Sequence, residues 1–159
     1  MMATVAGRST WSDGRIRYAG EFWFPAALED FWRAIEDFDR YQVRWPWLRE
    51  FRTDASGLVD GNVLRGTIVP PIPYRLHLQV RLHSCERLSV TKADLGGDLG
   101  GDATMYFDEL EGGTRVRVQW TLLMATAPMR MAALVARPLL LWGHDRIVEM
   151  AVAGITRGD

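Results

Sequence analysis

The chain has 159 residues, enough for one domain with a sizeable core and too few for a second. Its composition of 48% hydrophobic, 25% charged and 11% aromatic residues excludes the disordered, collagenous and membrane-spanning classes. Nineteen Lys and Arg against twenty Asp and Glu leave a net charge of -1 without a run of like charges, so neither a nucleic-acid footprint nor an acidic tail is expected.

Met1 to Ser12 lacks the basic stretch and apolar run of a signal peptide, and residues 1–14 read as a loose lead-in. Ile16, Tyr18, Phe22 and Phe24 then alternate with Arg17, Ala19, Glu21 and Trp23, the period of a strand with one buried face. Pro25 ends it. Leu28, Phe31, Trp32 and Ile35 follow at helical spacing, with Glu29, Asp30, Arg33 and Glu36 on the opposite side. A second short helix around Phe38 to Gln42 is predicted to stop before Trp45-Pro46-Trp47, because proline biases the preceding residue away from the helical region.

Turns are predicted at Asp60-Gly61-Asn62, from Gly96-Gly97 to Gly100-Gly101, and at Glu111-Gly112-Gly113, each flanked by β-prone residues. Tyr74, Leu76, Leu78, Val80 and Leu82 alternate with Arg75, His77, Gln79, Arg81 and His83. Val116, Val118, Trp120, Leu122 and Met124 alternate with Arg115, Arg117, Gln119 and Thr121 in a run of about 13 residues, long enough to curl. The apolar sets are expected to be buried and the polar sets to face water. After Ala127-Pro128 a helix of about 27 residues is predicted to reach Thr156, kinked at Pro138. Projected at about 100° per residue, Leu134, Leu141, Val148, Val152 and Ile155 form its buried stripe, with Arg137 on the stripe and His144 and Asp145 at its edges.

One strand, two short helices, about six more antiparallel strands and a long C-terminal helix make an α+β fold, a curved seven-stranded sheet wrapped around the helix. Such wrapping leaves a cavity between the apolar strand faces and the helix, the usual setting of a small-molecule pocket. The single cysteine, Cys85, offers neither an internal disulfide nor a thiolate set for zinc, and it suits a reducing compartment, the cytoplasm by default.

The element order, with Trp45-Pro46-Trp47 after the paired helices, resembles the helix-grip fold of the START-like (SRPBCC) superfamily. The C-terminal half is the more specific part. There Gly97-Asp98-Leu99-Gly100-Gly101, Thr114 to Trp120, Arg137-Pro138 and Trp142-Gly143-His144-Asp145 are similar to the bacterial polyketide cyclase/dehydrase and lipid transport branch. The resemblance spans roughly Ile16 to Ile155 and implies a hydrophobic cavity without specifying a reaction. The Val69 to Pro73 segment departs from the pattern, so ligand specificity is not carried over.

His144, beside Asp145 and two turns after Arg137, is the most chemically loaded spot, since a histidine can move protons and an arginine can stabilise an oxyanion. Arg137 and His144 are the candidate catalytic residues, against the alternative that they hold the helix on the sheet. Tyr74, Leu76, Leu78, Val80, Met105, Phe107, Val118, Trp120, Leu122, Leu134 and Leu141, with Arg137 and His144, are the candidate ligand contacts. Kinked helix and proline-rich loop are expected to part for a ligand. His77 and His83 lie on an Arg-rich polar face, poor material for a metal, and the Gly-Asp-Leu-Gly segment lacks the helix and Lys of a phosphate cradle. Neither metal nor cofactor is expected. Three functions fit: binding or transport of a hydrophobic small molecule (lipid, polyketide or isoprenoid-like), a cyclase or aromatase, and an interaction module docking a partner or second copy through Leu139, Leu140 and Trp142.

Overall fold

A computed structural model describes residues 4–69 and 75–157. The elements run β1 (Thr4–Ser12), β2 (Arg15–Phe24), α1 (Leu28–Glu36), a one-turn 3-10 helix (Phe38–Arg40), α2 (Tyr41–Arg44), β3 (Leu48–Thr53), β4 (Val63–Ile68), β5 (Leu76–Glu86), β6 (Val90–Gly97), β7 (Leu99–Leu110), β8 (Gly113–Met124) and α3 (Ala127–Arg157). The strands form one antiparallel sheet in the order β1-β2-β8-β7-β6-β5-β4-β3, with α3 against its concave face. This is the expected α+β helix-grip architecture with eight strands in place of seven.

The added strand is β1, in the segment whose sequence reads as a loose lead-in. It pairs with β2 along its whole length through the turn Asp13-Gly14, whose residues both have positive φ (53° and 73°) as a tight hairpin turn requires. That Asp-Gly pair is the available signal. The residues before it alternate too weakly to declare a buried face, because β1 forms the edge of the sheet.

The alternation in the central strands sorts as expected. Leu76, Val118 and Leu82 are buried, Arg75, His77 and Arg117 are exposed, while Gln79 and Arg115 are half-buried. Leu78, Val80, Trp120 and Leu122 also point inward yet remain half-buried, because they face a void. The sheet curls through a bulge between Leu82 and Ser84 and through Gly101, whose φ of 120° and close approach to the Thr121 carbonyl leave no room for a Cβ.

The buried apolar residues form two clusters instead of one contiguous core. The first joins Phe22, Phe24, Phe31, Trp32, Phe107 and Val116 beneath α1, and the second joins Ile16, Leu76, Leu99, Met124 and Met129 beneath the start of α3. A domain of this size ordinarily has one, and the separation marks where the cavity lies.

The long helix breaks at Ala136 (φ -139°, ψ 37°), two residues before Pro138. Proline has no N–H to give the Leu134 carbonyl, and its ring crowds that carbonyl. The break resets the helical phase. Beyond it Val148, Val152 and Ile155 pack inward as expected, whereas before it Met129 and Ala133 are the buried residues. Leu134 is therefore 79% exposed, and Arg137 is also exposed, contrary to the stripe drawn on one continuous helix.

Candidate functional site

Between the two clusters lies a cavity of about 470 Å³, within the range typical of small-molecule sites. Strand register explains why it is there. Across the concave face one row runs Leu82, Ala93, Ala103, Trp120, Tyr18, and the row beside it runs Val80, Leu95, Gly101, Leu122, Ile16. The middle of each row is occupied by Ala or Gly, so the sheet recedes opposite α3 where larger side chains would fill the space. The helical wall comes from Leu140, His144, Ile147, Val148, Ala151 and Ile155, and the far end is closed by Phe31 and Ile35 of α1.

Of the residues expected to contact a ligand, Leu76, Leu78, Val80, Met105, Phe107, Val118, Trp120, Leu122 and His144 line this cavity. Three others do not. Leu134 projects outward, Leu141 packs against the second cluster, and the Arg137 guanidinium lies 5.1 Å from the centre of the Trp11 ring on the edge hairpin. The misplacement of Leu134 follows from the break at Ala136. Tyr74 and Pro70 to Pro73 lie outside the described residues.

His144 is held at both nitrogens. Trp120 donates its indole N–H to Nε2 at 2.9 Å, and Nδ1 lies 3.0 Å from Asp145 Oδ1, which also accepts from the Ser9 hydroxyl at 2.7 Å. An indole nitrogen can only donate, so Nε2 must accept and the neutral ring carries its proton on Nδ1. Burial pushes the His144 pKa down, while Asp145 opposes the shift. Tyr18 stacks on Trp120 with ring centres 4.7 Å apart, and its pKa is raised by burial and then by Asp145. The result is a chain of contacts from β1 through α3 to β8 that fixes the helix on the sheet. Neither ring nitrogen is free to exchange a proton with a molecule in the cavity.

The other polar side chains on the wall are few. Tyr41 donates its hydroxyl to the Ile35 carbonyl, and Trp45 donates to the Ala151 carbonyl at 3.0 Å. Thr91 is the exception, 7% exposed and without a partner for its hydroxyl. Sequence reasoning missed Thr91 because Val90 beside it is the more apolar residue and looks like the inward one. Among the described lining residues none is Asp, Glu, Lys or Arg. His77 and His83 lie on the outer, exposed side of β5.

No protein-family model and no curated protein sequence matches the chain. Solved structures do. The protein TTHA0849 from Thermus thermophilus matches with a TM-score of 0.70 at 15% identity, covering 98% of this chain and 94% of that one. The di-domain ARO/CYC protein BexL from the BE-7585A biosynthetic pathway matches with a TM-score of 0.68 at 13% identity, covering 92% of this chain and 50% of that one. Ara h 8.0201 matches with a TM-score of 0.57 at 12% identity, over 72% of this chain and 81% of that one. Likeness at these identities concerns the fold: the chain has the START-like helix-grip fold.

Proposed function

We propose that this protein binds or carries a hydrophobic small molecule, of the lipid, polyketide or isoprenoid-like kind, in the cavity between sheet and α3. The observation that carries the reading is the cavity itself, about 470 Å³ and walled almost wholly by apolar side chains. Removing apolar surface from water drives such binding at about 25 cal/mol per Å² without a specific polar contact. Binding is favoured over a cyclase or aromatase reaction, because His144 is engaged at both nitrogens and Arg137 lies outside the cavity. The likeness to an ARO/CYC protein is compatible with either. No helix among the described residues is long and apolar enough to cross a membrane, and a cytoplasmic carrier suits the lone cysteine. Native mass spectrometry of protein purified from its own host tests the reading. A co-purifying apolar compound is the expected result, and failure to bind any apolar compound or polarity-sensitive dye would overturn it.

A second reading rests on the outer face of α3, where Met131, Leu134, Val135, Leu139 and Trp142 are exposed, from 45% to 81%. Exposed apolar side chains gathered on one element point to an interaction site, and we assign it to a second copy of the chain. Leu140, expected to dock a partner beside Leu139 and Trp142, turns inward to the cavity. Light scattering of wild type and Val135→Glu decides it: a dimer that the substitution dissolves is expected, and a monomeric wild type refutes it.

A further inference from the structure

We infer that the cavity selects an uncharged ligand, apolar except for one oxygen-bearing group such as a hydroxyl or carbonyl, and that the Thr91 hydroxyl is the hydrogen-bonding partner of that group. The inference rests on the cavity-binding reading and adds the ligand's class and its polar anchor. Two observations carry it.

The first is the absence of charge. A carboxylate or phosphate entering this space would leave water for a wall that, among the described residues, holds no cationic side chain. Burying an unpaired charge is strongly unfavourable, and the group either stays outside or is forced to its neutral form. Arg137, expected on the inner stripe of α3, is turned away onto Trp11.

The second is Thr91. It lies on β6 between Cys85 of β5 and Met105 of β7 in the strand register, so its side chain points to the concave face with theirs. Tyr41, Trp45, Trp120 and His144 already make their hydrogen bonds within the protein. Thr91 alone among the polar side chains of the wall does not. The Cys85 thiol is close enough to feel the hydroxyl, which draws its pKa slightly down against the larger upward effect of burial. The geometry of a hydrogen bond between them is not met, and a thiol is in any case a weak acceptor. A buried hydroxyl without a partner is unfavourable to folding and is retained where something else completes it. A hydroxyl both donates and accepts, so alcohols, ketones and esters all satisfy it, whereas a plain hydrocarbon does not.

The test uses three ligands of one chain length, tetradecane, 1-tetradecanol and tetradecanoate at pH 8, competing with a neutral polarity-sensitive dye. Wild type is expected to bind the alcohol at least about 10-fold more tightly than the carboxylate and several-fold more tightly than the alkane, as one hydrogen bond to a desolvated group would give. Thr91→Val is expected to bring the alcohol down to the level of the alkane measured on the same variant, and Thr91→Ser to retain the preference. Thr91→Val is also expected to raise the Tm of the unliganded protein, since it removes an unpaired polar group. Equal binding of alcohol and carboxylate, or an alcohol preference that survives Thr91→Val, overturns this inference and leaves the cavity reading standing. If neither dye nor alkane binds wild type, both fall together.

Discussion

At the scale of single residues, the joint between Trp120 and His144 ties a side chain of β8 to one of α3 that lies 24 positions away in sequence. Because Nε2 accepts from an indole, a second proton on this histidine would set two donors against each other. Burial already holds the His144 pKa below its ordinary value near 6.5. The unfolded chain therefore takes up a proton as pH falls through about 6.5 while the folded protein resists, so stability is full above that pH and declines below it. Urea denaturation at a series of pH values is expected to show this decline in wild type and a shallower one in His144→Gln. An unchanged slope would mean that the ring is not held neutral. The sequence singles out His144 but not its partner, since local spacing says nothing about which strand residue a helix meets. It singles out Arg137 too but not its contact with Trp11, for the same reason, and Thr91 is hidden by the more apolar Val90.

Elements are the most legible level. The period-2 runs of β2, β5 and β8, the amphipathic α1 and the proline-broken α3 can all be read from side-chain order, because each buries one face over several turns or pairs. What sequence periodicity does not contain is the phase of a helix after a break. Carrying one rotation through Ala136 misplaces Leu134, because the first half of α3 turns independently of the second. The strands show the same limit, since a bulge between Leu82 and Ser84 shifts the β5–β6 register and sets Cys85 opposite Thr91, which simple alternation from Leu82 would not do. Curvature at β7 depends on Gly101, with φ at 120° and the Thr121 carbonyl against it. Gly101→Val is expected to lower stability by about 2–4 kcal/mol through backbone strain and displacement of β8. A loss within about 0.5 kcal/mol, measured by denaturant midpoint, would show that the curl does not need this residue.

For the molecule as a whole, the void between the two clusters is the feature that sets this sheet and helix apart from a filled core. Ala103 stands in the middle of the concave face, opposite α3, and Ala103→Phe is expected to occupy the space. Adding volume to a packed core costs about 1–3 kcal/mol, whereas adding it to a void does not. Tm is therefore expected to hold or rise while dye binding is lost, and a sharp fall in Tm would mean that the space is already packed. The sheet order has a kinetic consequence as well. Every pair of neighbouring strands is consecutive in the chain except β2 and β8, so the meander from β3 to β8 can assemble through short loops. Joining β2 to β8 closes a much longer loop and is entropically the slowest step. Until it happens, Tyr18, Phe22 and Phe24 are missing from the first cluster, and the inner faces of β7 and β8 stand open to water. Refolding is thus expected to pass through a transient flare of apolar-dye fluorescence that decays as the N-terminal hairpin docks. For that interval the surface that later lines the cavity is a site of aggregation, which makes the β1–β2 hairpin a guard against self-association during folding, while its second strand is also one wall of the finished cavity.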